Sequence, residues 1–538
     1  MADRDTDGNG GGIAWRSGVV VALAFAAAFR LFRLTSQSLW FDEGTTLFMS
    51  DPLPLAERLR QFYALSTGGE RFQPLYNFVI AYWREAFGDG ALALRSFSAV
   101  ASLGAVALVT FAAKKVFDPG RALWTAVIAG SSAFAVFYAQ EARPYAFLML
   151  LSSAQVFCLA PVLSGTGSAP SAAPWRRAHV AVVALGSFGS IFFGVFAAAL
   201  ALAHLVTSRA PREWLRWWVP ALVAAIPALA YYLGGGQALD PANAVMVTRY
   251  GYPVLESLLF VVYGVLVGLT YGPSVLELHG ARRWDAFREH AVELVALAVV
   301  LGALASLLVW TLSRPQARRG QRPNPDLLLV VAAVLGLGMA TVVAAVTRVT
   351  WLPRHSFYLW IPLVLVLPAV RAASWRGRRP LGPALLALFV AANLYALGKH
   401  YFSYEYSKED YRGVARHVLA TENRGIPSVM VYGYVRLLRA YGDARTQDAT
   451  GLASSELAER VRELTDRAGK VHVILSHEAY WLSQRRADVP TLLSSLYDVE
   501  STADFQNMKV YRLALRGAGG PPALVVPSAA SPPAEVPR

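Results

Sequence analysis

Apolar positions along this chain gather into long uninterrupted runs, and only the last quarter shows the short alternations of a soluble domain. A helix that crosses the hydrocarbon layer needs roughly 20 apolar residues. Candidate spans occupy 18–34, 95–113, 121–138, 146–163, 217–234, 291–313, 327–347, 356–371 and 381–398. Between Arg177 and Arg209 lie 31 residues, too many for one upright helix at about 1.5 Å each but enough for two short ones meeting near Gly189. The run 253–272 breaks the in–out alternation of its neighbours and reads as interfacial, re-entrant or a pair of short spans. After Leu397, β-rich runs at 427–432, 471–476 and 508–514 are separated by helical patterns at 408–420, 453–468 and 488–497, which predicts a small α/β domain. Ser407, followed three residues on by Asp410, predicts a capping box at the first of those helices. Roughly the first dozen residues and the last 22, with six prolines, read as disordered tails.

Composition agrees with a bilayer: 55% of the 538 residues are hydrophobic and 16% charged, well below the quarter or so usual for soluble proteins. A single cysteine, Cys158, excludes an intrachain disulfide and a cysteine-rich metal site. The net charge of +14 raises nucleic-acid binding as a reading, and the distribution of charge removes it. Basic residues cluster between alternate spans: Lys114, Lys115 and Arg121; Arg176 and Arg177; Arg209, Arg212 and Arg216; Arg314, Arg318, Arg319 and Arg322; Arg371, Arg376, Arg378 and Arg379. Acids are few beside them, Asp118 and Glu213 among these, which marks these loops as cytoplasmic. The segment 35–94 carries seven acids against four bases and suits the opposite side. The expected layout is a cytoplasmic tail (1–17), a membrane domain (18–398) with outer loops 35–94 and 139–145, an extracytoplasmic domain (399–516) and a tail (517–538). An inside N-terminus and an outside C-terminal domain require an odd number of crossings, eleven or thirteen. An acidic leader and the many later spans argue against reading 18–29 as a cleaved signal peptide.

Directly after the first span comes Ser38-Leu39-Trp40-Phe41-Asp42-Glu43-Gly44, two adjacent carboxylates among aromatics at the bilayer boundary. A carboxylate there is partly desolvated and becomes a better proton acceptor for a hydroxyl nucleophile. The residues alone leave open the plainer reading, in which Asp42 caps the next helix and Glu43 is solvated.

Further stretches follow in order: Gln73-Pro74-Leu75-Tyr76, Phe87-Gly88, Leu94-Arg95-Ser96, Tyr138-Ala139-Gln140-Glu141-Ala142-Arg143-Pro144-Tyr145, Pro353-Arg354-His355 and Lys408-Glu409-Asp410-Tyr411-Arg412. With Ser38–Glu43, their order and spacing over residues 18 to about 412 resemble the C-type (GT-C) glycosyltransferases that use polyprenyl-phosphate sugars, in the protein-mannosyltransferase and lipid A aminoarabinose-transferase branch. The resemblance implies a polytopic α-helical fold of about 11 to 13 spans with a small extracytoplasmic α/β domain, in the inner or plasma membrane. It implies that Asp42 is the base on the acceptor hydroxyl, with Glu43 as its partner, and that the second outer loop supplies Glu141. Arg143, Arg354, Arg95 and Arg71 become candidates for the donor phosphate, and Trp40, Gln73, Tyr76, Tyr145 and His355 for the substrate pocket. Two positions depart from the family pattern: Gln73 stands where His or Lys usually precedes the proline, and His355 where tyrosine usually follows the arginine.

The implied partners are a polyprenyl-phosphate-linked sugar donor, membrane lipids and an acceptor whose identity the residues do not disclose. No cofactor is firmly implied, and a divalent metal at Glu43 stays an open alternative. A transporter or flippase is the main rival, although charges gather at span ends rather than at mid-membrane. An oligosaccharyltransferase is expected to carry Trp-Trp-Asp in its outer domain, whereas Trp217-Trp218 precedes Val219 at a membrane boundary.

Overall fold

The computed structural model describes residues 10–51, 53–64, 73–208, 210–233, 254–274, 277, 283–314, 324–347, 352–372, 381–450, 452–476, 493 and 497–516. Arg71, the C-terminal tail and most of the 488–497 pattern lie outside these residues. The chain divides into two compact units, one of Met1–Leu34, Met49–Gly88 and Ala93–Ser403, the other of Thr35–Phe48, Asp89–Leu92 and Tyr404–Arg538.

The first unit is a helical, multi-pass membrane structure. Its chain opens with α1 (Gly10–Leu31); α2 (Phe41–Met49) belongs almost wholly to the second unit. There follow α3 (Leu55–Ala64), α4 (Pro74–Phe87), α5 (Ala91–Val116), α6 (Pro119–Ser131), α7 (Ala133–Ala139), α8 (Tyr145–Cys158), α9 (Ala160–Leu163), α10 (Ala173–Gly189), α11 (Ile191–Ser208) and α12 (Pro211–Leu233). Later helices include Val254–Val267, Ala291–Ser313, Pro325–Thr347, Trp360–Val366 and Leu381–Phe402. Among the described residues seven helical stretches are long and apolar enough to cross a membrane, eight if the bent pair α6 and α7 forms one span.

Several expected runs acquire breaks with local causes. The 178–208 stretch does split in two, with Ser190 in extended backbone between α10 and α11. Gly186 makes that junction close-packed, because a Cβ there would lie 2.3 Å from the Phe193 ring. The 121–138 run bends by 53° at Ser132, whose hydroxyl accepts from the Ala135 N–H and so starts a new helix inside an apolar stretch. The 356–371 run is α-helical only over Trp360–Val366, flanked by 3-10 turns at Pro353–Leu359 and Leu367–Ala372. In 253–272 the helix is short, Val254–Val267, and stops at Gly268, whose φ of 81° belongs to the left-handed region.

Two arginines buried in this unit are satisfied by hydrogen bonds or an ion pair, as low dielectric demands. Arg30 donates to Ser102 Oγ at 2.8 Å and to the Ala26 and Gly130 carbonyls at 3.0 Å. Arg121 pairs with Asp326 through both guanidinium nitrogens and donates its Nε–H to the Leu365 carbonyl at 2.9 Å. Trp217 and Trp218 are fully buried and donate to the Gly167 carbonyl and to His204 Nδ1, so they serve as structural pillars.

The second unit carries a five-stranded sheet of order β2-β1-β3-β5-β4, from β1 (Ser428–Tyr432), β2 (Gln447–Asp448), β3 (Lys470–Ser476), β4 (Tyr497–Phe505) and β5 (Met508–Leu515). β1 runs parallel to β2 and β3, and β5 antiparallel to β3 and β4. Alternation along β3 sends Val471, Val473 and Leu475 into one apolar core with Leu457, Val461 and Leu464 of the helix Ser454–Ala468. His472 lies on the other face, where its ring centroid is 5.8 Å from that of His417 in the helix Tyr411–Leu419. The expected capping box at Ser407 is corrected here: Asp410 is the N-cap, accepting from the Gly413 N–H at 2.8 Å, so Ser407 lies outside the helix.

Candidate active site

The segment after the first span folds with the second unit. Glu43, fully buried, accepts the Trp40 N–H at 3.2 Å, and Glu409, also buried, accepts the Phe41 N–H at 3.5 Å. Two carboxylates thus satisfy backbone donors that the start of α2 leaves over, in a position the helix dipole favours. Asp42 directly precedes Glu43 in sequence and is half-buried. The expectation of a merely solvated Glu43 does not hold. Trp40 lies under the Lys408 ammonium, 5.2 Å from its ring centroid, while Phe41 packs against Tyr432 and Tyr434. Gly44 permits this seat, since a Cβ would come 2.8 Å from the Tyr434 ring. The approach to α2 is pinned as well: the Leu39 N–H donates to the Tyr441 hydroxyl at 2.6 Å and the Arg412 N–H to Ser38 Oγ at 3.2 Å. Burial first, then the Glu409 carboxylate, pushes the Tyr411 phenol well above its usual range, so it stays protonated beside this segment.

The second acidic segment belongs to the first unit. Glu141 and Arg143 occupy the turn between α7 and α8, with relative exposures of 2% and 6%, so they are not a surface ion pair. Gln140 fixes the turn: its Nε2 donates to the carbonyls of Phe29, Arg30 and Phe32 at 3.3, 3.1 and 2.8 Å, and its Oε1 meets His400 Nε2 at 3.0 Å. Tyr145 begins α8, buried edge-on against Tyr138 at 5.0 Å, and the Arg143 guanidinium stands 6.0 Å from its ring.

The remaining candidates have separate surroundings within the first unit. Arg95 is buried rather than snorkelling and donates to the Leu34 carbonyl at 3.0 Å, tying α5 to the end of the first span. Gln73 is the N-cap residue of α4 but makes no side-chain cap bond, and its Oε1 is buried without a hydrogen-bond partner among the described residues. Tyr76 is fully buried one turn on, 6.0 Å from the Phe97 ring. Arg354 is half-buried, and its neighbour His355 accepts the Leu352 N–H at 3.2 Å and stacks on Phe192 at 4.9 Å. The structure therefore brings Trp40, Asp42 and Glu43 into one segment and Glu141, Arg143 and Tyr145 into another, in different units.

Sequence reading passed over four residues with evident roles. Glu409 and Lys408 were visible only as part of the run opening the outer domain, and nothing in the sequence pointed them at Trp40 and Phe41. Gln140 and His400 are 260 positions apart and meet only in the fold. Among the described residues no three His, Cys, Asp or Glu side chains gather in metal-ligand geometry.

No family model matches the chain, and neither does any curated protein. Among solved structures it is similar to ArnT from Cupriavidus metallidurans bound to undecaprenyl phosphate, with a TM-score of 0.54 and 14% identity over 94% of this chain and 98% of that one. It is also similar to the archaeal oligosaccharyltransferase AglB from Archaeoglobus fulgidus, in complex with an inhibitory peptide and a dolichol-phosphate. That likeness has a TM-score of 0.50 and 11% identity, over 92% of this chain and 74% of the other. At these identities the likeness establishes the fold, a GT-C membrane fold with a small C-terminal sheet domain, as the sequence led us to expect.

Proposed function

We propose that the chain is an inverting glycosyltransferase that moves a sugar from a polyprenyl-phosphate donor to an acceptor hydroxyl at the outer face of the cell membrane. The observation that carries this reading is the carboxylate-rich start of α2, held in place through the backbone by Glu43 and Glu409, in a chain whose fold matches ArnT over nearly its whole length. Asp42 takes the proton of the acceptor hydroxyl. The acceptor oxygen then attacks the anomeric carbon from the side opposite the phosphate, the bond from that carbon to the phosphate oxygen breaks, and the lipid phosphate leaves with the electron pair. Phosphate is a good leaving group, so cations rather than a strong acid are needed, and Arg143 and Arg354 are assigned to it. Arg95 is the weaker assignment, because one of its donors already holds the Leu34 carbonyl. Glu43 supports Asp42 by fixing α2, and Glu141 lies beside Arg143 in sequence as a supporting acid. The N-terminus lies inside and the C-terminal domain outside, following the basic clusters.

Mass spectrometry of a strain lacking the chain tests the reading. It should show loss of one envelope glycan with accumulation of a polyprenyl-phosphate sugar. Unchanged glycans and unchanged lipid-linked sugars would refute it.

A further inference from the structure

At the end of α8 remote from the Glu141 turn, a cavity of about 240 Å³ opens among the ends of α5, α9 and α10. Fourteen residues of α8 separate the two places, about 20 Å at 1.5 Å per residue, so the cavity is distinct from the candidate active site. Its lining is chemically mixed in a particular way. Among the described residues Lys115 is the one charged group lining it and no carboxylate does; its ammonium lies 4.8 Å from the centre of the Trp175 ring, and Ser164, Thr166 and Ser171 contribute hydroxyls, while Pro161 is among the apolar members. Neighbouring Lys114 turns away onto the Trp15 ring at 3.8 Å.

The stretch between the lining residues Thr166 and Ser171 is preassembled. The Ser168 hydroxyl donates to Glu213 at 2.6 Å, the fully buried Trp217 donates to the Gly167 carbonyl at 3.1 Å, and Glu213 is held by His204 at 3.3 Å. Gly167 is needed there, since a Cβ would come 3.0 Å from both Glu213 and Val162. The Glu213 carboxylate is thereby engaged behind the lining. By contrast, the Ser164 and Thr166 hydroxyls share long bonds, 3.3 Å each to the Pro161 carbonyl and 3.2 Å to one another, and can turn to a better acceptor.

We propose that this cavity binds the phosphate-bearing headgroup of a membrane lipid. A phosphate matches one ammonium plus several hydroxyl donors in a lining without a carboxylate among the described residues. Trp175 presents an apolar ring and a polar edge, the combination suited to headgroup depth. The place of the cavity, at the ends of membrane helices, favours a lipid over a free anion. The inference stands apart from the transfer chemistry.

Native mass spectrometry of the full-length chain in detergent tests it, with phosphatidylglycerol and, as the phosphate-free probe, diacylglycerol of the same acyl chains. Wild type should retain one phosphatidylglycerol and no diacylglycerol. Lys115→Gln should weaken retention about tenfold, whereas Lys115→Arg and Lys114→Gln should keep it. Thr166→Val combined with Ser171→Ala, which leaves the charge intact, should weaken it several-fold and serves if Lys115→Gln fails to fold. Equal losses for Lys114→Gln and Lys115→Gln would overturn the site in favour of a diffuse basic surface, as would unchanged retention in the hydroxyl variant. Displacement of the lipid by an equal concentration of inorganic phosphate would overturn it in favour of a free anion.

Discussion

The two acidic segments of this protein, Trp40–Glu43 and Gln140–Arg143, reach their fixed shapes by opposite means. In the first, carboxylates accept backbone N–H groups at the start of a helix: Glu43 takes that of Trp40 and Glu409 that of Phe41. In the second, the Gln140 amide donates to three carbonyls at the end of α1 while its oxygen meets His400. The difference follows from what each place lacks. A helix start leaves N–H groups over and suits acids, whereas a helix end leaves carbonyls over and needs donors. Acids beside the first segment are therefore partly structural, while in the second the amide does the holding.

That contrast can be broken experimentally. The largest effect is expected at Asp42: Asp42→Asn should lower turnover by about 100-fold or more while protein level and donor binding persist. Full activity would remove it as the base and make Glu141 the next candidate, and a misfolded product would assign Asp42 to capping. Acid should next distinguish the units. His472 is held at a pKa of about 4, by burial first and then by Arg512, His417 and Arg445. An unfolded imidazole titrates near 6.5, so the unfolded chain takes the proton first as pH falls. Stability of the second unit is full above about 6.5 and declines towards 4, by about 2 kcal/mol at pH 5. Hydrogen exchange corrected for intrinsic rate should then speed up at β3 and at Leu39–Thr46 but not at Glu141–Tyr145, and His472→Gln should flatten the dependence. Equal acceleration of both segments would erase the distinction.

Gln140→Ala should cost about tenfold in kcat/KM, because several buried hydrogen bonds that position the Glu141 turn disappear. Gln140→Glu retains an acceptor for His400 but loses the donors to α1, so it should rescue little. Glu43→Gln should be the mildest change, a few-fold loss, since the amide oxygen still accepts the Trp40 N–H. A loss as deep as that of Asp42→Asn would shift the chemistry to Glu43.

Much of this fold was readable because hydropathy reports burial in lipid directly. The split near Gly189 followed from length alone, since a stretch of that size cannot stand as one span. The bend at Ser132 was hidden because one hydroxyl inside an apolar run hardly changes its hydropathy, yet it suffices to start a helix. Strand β4 was missed for the opposite reason: among the described residues it is an edge strand paired only with β5, it carries Asp498, Glu500 and Asp504, and it lacks the apolar alternation that reveals an inner strand. In the candidate site, adjacency made Asp42 and Glu43 stand out. Glu409 on Phe41 and His400 on Gln140 depend on contacts 368 and 260 positions apart, which no local pattern encodes.

The central claim is transfer from a lipid-linked donor with inversion, and reconstitution measures it directly. Full-length protein in proteoliposomes would receive a polyprenyl-phosphate sugar of one defined anomer together with envelope extract as acceptor. The account predicts one polyprenyl phosphate released per sugar transferred, and a product of the opposite anomeric configuration. Retained configuration, or a donor that crosses the bilayer unconsumed, would contradict it.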